Sequence, residues 1–289
     1  MRIHHYLSVI LGVSSLVLCV TGRIHAQETT GLQASNLPDW KQYCELEIGK
    51  YALFPTGRPN SAWTKTDKPV FSHRNPFNRE ELGLVYLWVD DNQRPVAAGT
   101  VIVSRRNKSP NWYDVHELHS LWDEPFEATY SGKPAWKPST AGLRWQTISG
   151  GPQPAKDHRR LQRQAKGLAR QFNATQTQRG SDWELHLTET PIYQYDVAEK
   201  DIDQPISGAV FAFCRATDPE ALLVLEVRRD DSGSWRWHFA PAAFSFSPTT
   251  FRHSGNEVWS ESLGRAVYSQ AKYHHGAYRN KGIRIADPN

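Results

Sequence analysis

The sequence is poor in sulfur and has no local catalytic motif. Among 289 residues there are three cysteines and one methionine. The chain has no Gly-x-Ser-x-Gly elbow, no glycine-rich phosphate loop, no pair of cysteines at zinc spacing and no EF-hand loop. These gaps exclude the protein classes that such motifs define. An enzyme whose active site is assembled from distant residues is not excluded, because geometry defines catalytic groups.

Long apolar runs are also scarce, and the main one lies near the N-terminus. Arg2 precedes an apolar segment over residues 6–20, and small and polar residues follow it before Gln27. This order is typical of a secretory signal peptide. We therefore expect cleavage after Ala26 and a periplasmic or extracellular location. The apolar segment has about 15 residues, fewer than the roughly 20 of a membrane-spanning helix. An uncleaved N-terminal anchor is the alternative.

Neither sign of charge dominates. Removing the two arginines of residues 1–26 from the 34 basic residues leaves 32 against 30 acidic ones. This balance predicts no nucleic-acid partner. Two cysteines remain after that segment, Cys44 and Cys214. An exported protein permits a disulfide between them, whereas their apolar neighbours equally suit two buried thiols. We expect no cofactor.

Two parts of the chain carry the same order of residues. The segment "GLVYLWVDDNQRPVAAGTV" begins at Gly83, and "GAVFAFCRATDPEALLVLE" begins 125 residues later at Gly208. Segments that begin at Pro125 and Pro248 then share Pro, Ser, Gly and Trp at identical spacing. This agreement predicts an internal duplication.

The pattern within each half predicts its secondary structure. A helix-like segment comes first, over 38–51 and again over 155–173, and short runs of β-branched and aromatic residues separated by turn residues follow. Strands joined by short turns are antiparallel. We predict an α+β fold in which each half has one helix and about five or six antiparallel strands. The predicted divisions are a signal peptide over 1–26, a linker over 27–37, a first repeat over 38–138, a Gly/Pro/Ser-rich connector over 139–154, a second repeat over 155–263 and a basic C-terminal tail over 264–289.

Three segments also carry a resemblance to a known family. "LGLVYLWVDDNQRPVAAGTV", "HELHSLW" and "GAVFAFCRATDPEALLVLEVR" resemble segments of an uncharacterised family of exported proteins common in planctomycete bacteria. The likeness covers most of the chain after the signal segment. It implies export and a two-part layout, but no activity, substrate or site residue.

The segment "YDVHELHSLWDEPF" contains two histidines and a glutamate within four residues. Zinc proteases place two histidines four residues apart on a helix, whereas His116 and His119 are three apart. In a strand, residues at an odd spacing face opposite sides of the sheet. We predict a half-buried strand and no metal shared by the two histidines. A site confined to the first half is the alternative.

Two pairs of carboxylates, Asp90/Asp91 and Asp230/Asp231, have the chemistry for acid–base work or calcium binding. Both pairs fall in predicted hairpin turns, where Asp is favoured because it bonds to its own backbone. We therefore predict turns there. The C-terminal segment "YHHGAYRNKGIR" is basic and aromatic. We expect a frayed, solvated terminus, and a binding tail is the alternative.

Eleven tryptophans suggest carbohydrate binding, because aromatic faces stack on sugar rings. Two pairs recur between the halves, Trp63 with Trp183 and Trp136 with Trp259. Recurrence at matched positions indicates a role in packing. The tryptophans without a counterpart, which are the candidates for an exposed binding surface, are Trp112, Trp122 and Trp145.

The predicted helix over 155–173 has an apolar face and a basic face. Each face repeats at the spacing i, i+4, i+7, i+11, and Asp157 is the only acid in the segment. The basic face could contact an acidic polysaccharide, an anionic lipid surface or an acidic protein; a plain solvated face is the alternative. We expect burial of Leu161, Ala165, Leu168 and Phe172 and exposure of Arg159, Arg163, Lys166 and Arg170.

These observations favour an exported, non-catalytic binding or structural protein that contacts an anionic polymer or surface through the basic helix face. The alternative is a hydrolase whose active site is dispersed over distant strands. The sequence leaves open whether the protein is an enzyme.

Overall fold

A computed structural model describes residues 37–75, 80–106, 109–197, 206–261 and 274–286. The chain from Leu37 onward forms one unit. The predicted signal peptide, most of the predicted linker and the first part of the predicted tail lie outside the described residues. No helix in the described part of the chain has the length and apolar character needed to cross a membrane.

Strands dominate the structure, so the predicted α+β class is corrected to a mostly β fold. The helices α1 (Trp40–Ile48) and α2 (His158–Ala169) have only 9 and 12 residues. The strands before the connector are β1 (Tyr51–Pro55), β2 (Thr64–Lys65), β3 (Phe71–Asn75), β4 (Glu80–Val89), β5 (Pro95–Arg105), β6 (Trp112–Ser120), β7 (Phe126–Tyr130) and β8 (Lys133–Trp136). The later strands are β9 (Gln146–Thr147), β10 (Phe172–Gln178), β11 (Ser181–Leu187), β12 (Tyr193–Val197), β13 (Ile206–Arg215), β14 (Asp218–Arg229), β15 (Trp235–Ala243), β16 (Thr249–His253), β17 (Asn256–Glu261) and β18 (His274–Ile283).

The strands form three antiparallel sheets. One has six strands in the order β18-β6-β5-β4-β2, with β3 also paired to β4. A second has nine strands in the order β17-β16-β10-β11-β13-β14-β15-β9, with β12 also paired to β13. The third consists of β1-β7-β8. The predicted antiparallel pairing is therefore correct.

The strands before and after the connector pair with one another in a similar order. The runs β3-β4-β5-β6 and β12-β13-β14-β15 each pair in chain order. In addition, β1 pairs with β7 as β10 pairs with β16. Each predicted repeat, over 38–138 and over 155–263, contains eight described strands, more than the five or six predicted.

The C-terminal strand corrects another expectation. Residues His274–Ile283 form β18, which pairs with β6, so this segment is not a frayed terminus. A backbone that forms a ladder with a central strand satisfies its polar groups there.

Three large buried clusters and a small one, formed by Tyr195, Val197 and Ile206, make up the core of the described residues. The first packs α1 against β4, β5 and the three-stranded sheet, and the second packs α2 against β13, β14 and β15. The third joins the two halves, because Val85, Leu87 and Ala98 pack with Val210 and Leu222. The halves therefore share one apolar interface between their central strands.

Both described cysteines are free and buried. Cys44 belongs to the cluster beneath α1, whereas Cys214 belongs to the cluster between the halves. Because the two thiols pack in different clusters, the disulfide that the sequence left open is not formed.

The second helix has the two faces that the sequence predicts. Leu161, Ala165, Leu168 and Phe172 are all buried. The helix ends at Ala169, however, so Phe172 begins strand β10. At the other end Asp157 caps the helix, since its side chain accepts a hydrogen bond of 2.9 Å from the backbone NH of Arg160.

Two glycines allow an aromatic ring to lie directly on a neighbouring strand. The ring of His73 covers Gly83, and the ring of Tyr195 covers Gly208. A Cβ at either glycine would lie 2.1 Å from the nearest ring atom. Neither position has room for a side chain while the ring stays in place.

We expect Gly208→Ala to destabilise the fold by about 1–3 kcal/mol, because the added methyl group overpacks against Tyr195. The matched control is Gly167→Ala on α2, where a Cβ meets nothing within 4 Å. There the higher helix propensity of alanine should stabilise by up to about 1 kcal/mol. Urea unfolding measures both. If Gly208→Ala is as stable as wild type, the close contact between the Tyr195 ring and Gly208 is contradicted.

Candidate functional site

Strand β6 directs its side chains alternately to two faces, as its sequence predicts. His116 faces α1 and the three-stranded sheet, where its ring lies 5.8 Å from that of Tyr51. His119 faces the second half, where its ring lies 4.7 Å from that of Phe244. Both histidines are completely buried. The two imidazoles therefore belong to different environments and do not converge.

The face of β6 beneath α1 carries a buried polar network centred on Asp114. Its carboxylate accepts hydrogen bonds from the hydroxyl of Tyr43 at 2.7 Å and from the backbone and side-chain NH groups of Asn280 at 2.7 and 2.8 Å. Nε2 of His116 lies 3.2 Å from the same carboxylate. Burial alone would raise the pKa of Asp114, but the hydrogen bonds from His116, Tyr43 and Asn280 outweigh it and hold the pKa well below its usual range.

The same network contains the one described group of three side chains with metal-ligating atoms within 4.8 Å of one another, Glu47, Asp114 and His116. Each of these side chains already has partners. The carboxylate of Glu47 accepts from Tyr130 at 2.5 Å and from the ammonium of Lys50 at 2.6 Å. Because a fixed positive charge and several donors already satisfy these atoms, we interpret the group as the polar contact that fastens α1 to β6.

We expect Asp114→Asn to cost about 3 kcal/mol of folding stability, because the amide places two donors among the donors of Tyr43 and Asn280. Chemical denaturation followed by circular dichroism measures the change. The control is Asp91→Asn, an exposed residue that should change stability by less than about 0.5 kcal/mol. Equal effects would contradict the central role of Asp114.

The opposite face of β6 contributes to a small cavity of about 80 Å³, which we name the acidic pocket. Asp218 and Glu220 enter it from the start of β14, where their i, i+2 spacing puts them on one face. His73 and Thr100 come from β3 and β5. Its polar lining residues are His73, Thr100, Glu117, Asp218, Glu220 and Ser245.

Burial shifts the pKa values of the groups in this pocket. It raises the pKa of Glu117 to about 7. Burial, and then the nearby charges of Glu220 and Glu117, raise the pKa of Asp218 well above its usual range. Burial lowers the pKa of His73 to about 4 and that of His119 to about 3. Both imidazoles are therefore neutral at physiological pH and supply no positive charge to the pocket.

A much wider cavity, of about 570 Å³, lies between the end of β1 and the turn that joins β4 to β5. We name it the tryptophan cleft. Two half-buried indole rings, four acidic or basic side chains and smaller residues line it. The residues with the most evident binding chemistry are Trp63, Trp122, Arg58, Asp90, Asp91 and Glu124.

The two indole rings of the cleft are held in place from behind. The backbone NH of Trp63 donates to the carbonyl of Leu53 at 2.8 Å, and the carbonyl of Trp122 accepts from the NH of Gly142 at 2.8 Å. The rings meet edge to face, with centroids 5.7 Å apart. Phe126 packs behind Trp63 with centroids 5.4 Å apart. The aromatic wall is therefore continuous with the core.

The carboxylates of the cleft have two different roles. Oδ1 of Asp90 accepts from the backbone NH groups of Asn92 and Arg94 at 2.9 and 2.8 Å, which is the turn interaction that the sequence predicts. Asp91 and Glu124 are exposed on the walls of the cleft. These two are the carboxylates available to a bound molecule.

The three tryptophans predicted to form an exposed binding surface lie in different environments. Trp122 lines the cleft. Trp112 is only 1% exposed and lies under the guanidinium of Arg105, so its prediction as a binding residue is wrong. It starts β6 and packs into the core. Trp145 is half-buried, and the guanidinium of Arg228 lies 4.4 Å from its ring centroid.

Sequence reasoning missed Trp63, because its apparent match with Trp183 indicated packing for both. In the structure Trp63 pairs with Leu53, whereas Trp183 pairs with Gln176 and is 44% exposed. A better signal for exposure of Trp63 was the segment "PTGRPNSA" directly before it, because a run rich in Pro, Gly, Asn and Ser predicts a surface loop.

The basic residues of α2 lie apart from both cavities. Arg159, Arg163 and Arg170 are exposed and Lys166 is partly exposed. Among the described residues, no acidic side chain forms an ion pair with any of these four, whereas the neighbouring Arg160 pairs with Asp157 at 3.3 Å. The expected exposure of this face is confirmed.

Comparison of the chain with protein-family models, curated proteins and solved structures gave no match in any of the three.

Proposed function

We propose that this is an exported, non-catalytic binding protein whose tryptophan cleft takes a neutral carbohydrate. The observation that carries the proposal is that Trp63 and Trp122 present partly exposed rings beside the carboxylates of Asp91 and Glu124. Ligand sites commonly combine an aromatic wall with a few polar groups that fix orientation. Indole faces stack on the apolar faces of sugar rings, and carboxylates accept hydrogen bonds from sugar hydroxyls.

The charge of the cleft supports a neutral ligand. Three carboxylates, those of Asp90, Asp91 and Glu124, face the single guanidinium of Arg58. An acidic polymer would be repelled by this excess of negative charge, whereas neutral hydroxyl groups would not. The volume of about 570 Å³ is within the range of small-molecule sites.

The alternative of a hydrolase has weaker support in this cleft. Glycosidases use a pair of carboxylates and tune one of them by burial, but Asp91 and Glu124 are both exposed. The acidic pocket does have buried acids, yet its 80 Å³ holds no sugar ring together with a nucleophilic water. Binding without catalysis therefore remains the better proposal.

We expect Trp122→Ala to weaken binding of a neutral oligosaccharide by about tenfold or more, which corresponds to about 1.4 kcal/mol, because a stacking surface is removed. Calorimetric titration of a panel of cello-, xylo- and manno-hexaoses measures the affinity. The matched control is Trp183→Ala, an exposed tryptophan outside the cleft, which should bind like wild type. If no oligosaccharide binds, or if both variants bind equally well, the carbohydrate proposal fails.

A second binding surface is proposed on α2, where the basic face meets an acidic polysaccharide. Its support is the fixed geometry of the helix, since buried Leu161, Ala165 and Leu168 hold the opposite face in water. Like charges at this spacing repel one another by a few tenths of a kcal/mol per pair, and an anionic polymer would relieve that repulsion. Anionic lipid surfaces and acidic proteins are the other partners that this face predicts.

We expect a variant with Arg159, Arg163, Lys166 and Arg170 changed to Gln to bind heparin about tenfold more weakly at low salt. The difference should shrink as added salt shortens the Debye length, about 10 Å at 0.1 M. The control carries the same loss of charge at other exposed positions, Lys133, Arg144, Arg179 and Arg284. Equal retention of the two variants on a heparin column would identify the α2 face as an ordinary solvated surface.

We further propose that the two halves, over 38–138 and 155–263, are repeats of one unit. The shared order of strand pairing supports this. So does a matching contact in each half, in which an aromatic ring covers a glycine of the next strand: His73 covers Gly83, and Tyr195 covers Gly208. The repeat is imperfect. If the strands are aligned by their pairing, the counterpart of Trp63 is Leu185, which pairs with Ala174 as Trp63 does with Leu53.

A further inference from the structure

The acidic pocket collects polar atoms that lack hydrogen bonds. Within the described part of the chain, Nε2 of His73, Oγ1 of Thr100 and Oε1 of Gln176 have no hydrogen-bond partner, whereas Nδ1 of His73 lies 3.3 Å from Oδ1 of Asp218. His73 and Thr100 are 3% and 2% exposed and line the cavity. Gln176 adjoins it, because its amide donates to Glu220 at 2.5 Å and to Ser245 at 2.9 Å. Buried polar atoms without partners usually mark an ordered water or ion.

The acids of the pocket have little cationic compensation, since the charge of Arg215 acts on Asp218 and Glu220 only from beyond ion-pair distance. In the part of the chain that the structure describes, no lysine or arginine forms an ion pair with Glu117, Asp218 or Glu220. The neutral imidazoles of His73 and His119 lie 3.3 Å from Asp218 and 3.7 Å from Glu117. Three carboxylates around one cavity repel one another.

A second buried glutamate shows how this chain neutralises an acid when it does so internally. Glu226 on β14 has a side chain only 1% exposed, and it pairs with Arg94 at 3.2 Å and with Arg228 at 2.9 Å. The hydroxyl of Tyr195 donates to it at 2.7 Å. Tyr195 covers Gly208 as His73 covers Gly83. The Glu226 site and the acidic pocket thus share the same ring-on-glycine backbone arrangement. They differ in charge, because ion pairs with arginine neutralise only Glu226.

We infer that the acidic pocket binds a hard divalent cation, of the Mg²⁺ and Ca²⁺ class, between Asp218 and Glu220. The groups that converge there are mostly oxygens, including those of Thr100 and Ser245, and oxygen is the ligand that these cations prefer. Zn²⁺ would prefer nitrogen or sulfur. The positive charge takes the role that Arg94 and Arg228 have at Glu226.

The spacing of the ligands indicates how the ion is held. The imidazole and carboxylate atoms of the pocket do not form a group of three within 4.8 Å of one another, as those of the Asp114 network do. An ion there would therefore keep part of its water shell, which is common for Mg²⁺. The volume of about 80 Å³ accommodates an ion with one or two waters, at about 30 Å³ for each water. Those waters would also serve Thr100 and Gln176.

The test compares the purified protein, after treatment with EDTA, in MgCl₂, in CaCl₂ and in NaCl of equal ionic strength. We expect a 1:1 binding isotherm for Mg²⁺ or Ca²⁺ by calorimetry and a rise in Tm of roughly 5–10 °C at a hundredfold excess over Kd. The Asp218→Asn/Glu220→Gln double variant should lose both responses. Because it also loses the repulsion, its Tm in EDTA should equal or exceed that of wild type, so a folding defect would not explain the loss.

Two controls separate the pocket from other acids. Glu257→Gln removes an exposed carboxylate on β17 and should keep the full response. Asp91→Asn/Glu124→Gln removes the exposed acids of the tryptophan cleft and should keep it as well. The inference is overturned if wild type shows no isotherm with either cation, which would leave the pocket with water alone. It is also overturned if the cleft variant loses the response while the pocket variant retains it.

Discussion

The packing of the central strands of one half against those of the other is the constraint on which the rest of the structure depends. Strands β4, β5, β13 and β14 are buried along nearly their whole length. One face of each turns to a helix or an outer sheet, and the other turns to the opposite half. With both faces dry, these strands carry almost continuous apolar residues. Strand β6 differs from them, because it contributes Asp114 to one buried polar site and Glu117 to another.

The buried acids show three solutions to one electrostatic problem. Asp114 is surrounded by neutral donors that stabilise its charge, and Glu226 is held between two guanidinium groups. In the acidic pocket the amide of Gln176 donates to Glu220, but among the described residues no lysine or arginine forms an ion pair with Glu117, Asp218 or Glu220. Desolvation of a carboxylate costs several kcal/mol unless a partner offsets it. A site that lacks an internal partner therefore has to recruit a proton or a cation from solution, which makes it the most responsive of the three to its surroundings.

The spacing of residues along the chain correctly predicted which way side chains point in strand β6 and in helix α2. The opposite directions of His116 and His119 follow from their odd spacing in a strand, and the two faces of α2 follow from a stripe that repeats every three or four residues. The antiparallel pairing followed from the short turns. The helices were expected to be longer because their flanking residues, such as Phe172, fit the helical stripe equally well. Tertiary pairing with β16 decided that residue in favour of a strand.

Long-range assembly was beyond those patterns. Asp218 and Glu220 lie in "RATDPE", which reads as a polar turn, and only the fold brings them to Glu117 from more than 100 residues away. The polar face of α1 gave no signal either, because Tyr43 and Glu47 acquire their role from partners on β6 and β7. Trp63 was assigned to packing by a match with Trp183 that is displaced by two residues from the strand alignment. It does pack against the core, but its place in the tryptophan cleft is visible only in the structure.

The pairing of β18 with β6 has a consequence for how the chain acquires its structure. Asn280 bonds to Asp114, which lies 166 positions earlier in the chain, so the sheet of the first half takes an edge strand from beyond the second half. During synthesis from the N-terminus, the first half emerges with one edge of β6 and the charge of Asp114 still awaiting their partners. Closing so long a loop is entropically slow. The sheet of the first half therefore keeps an open edge at β6 until the residues of β18 are available.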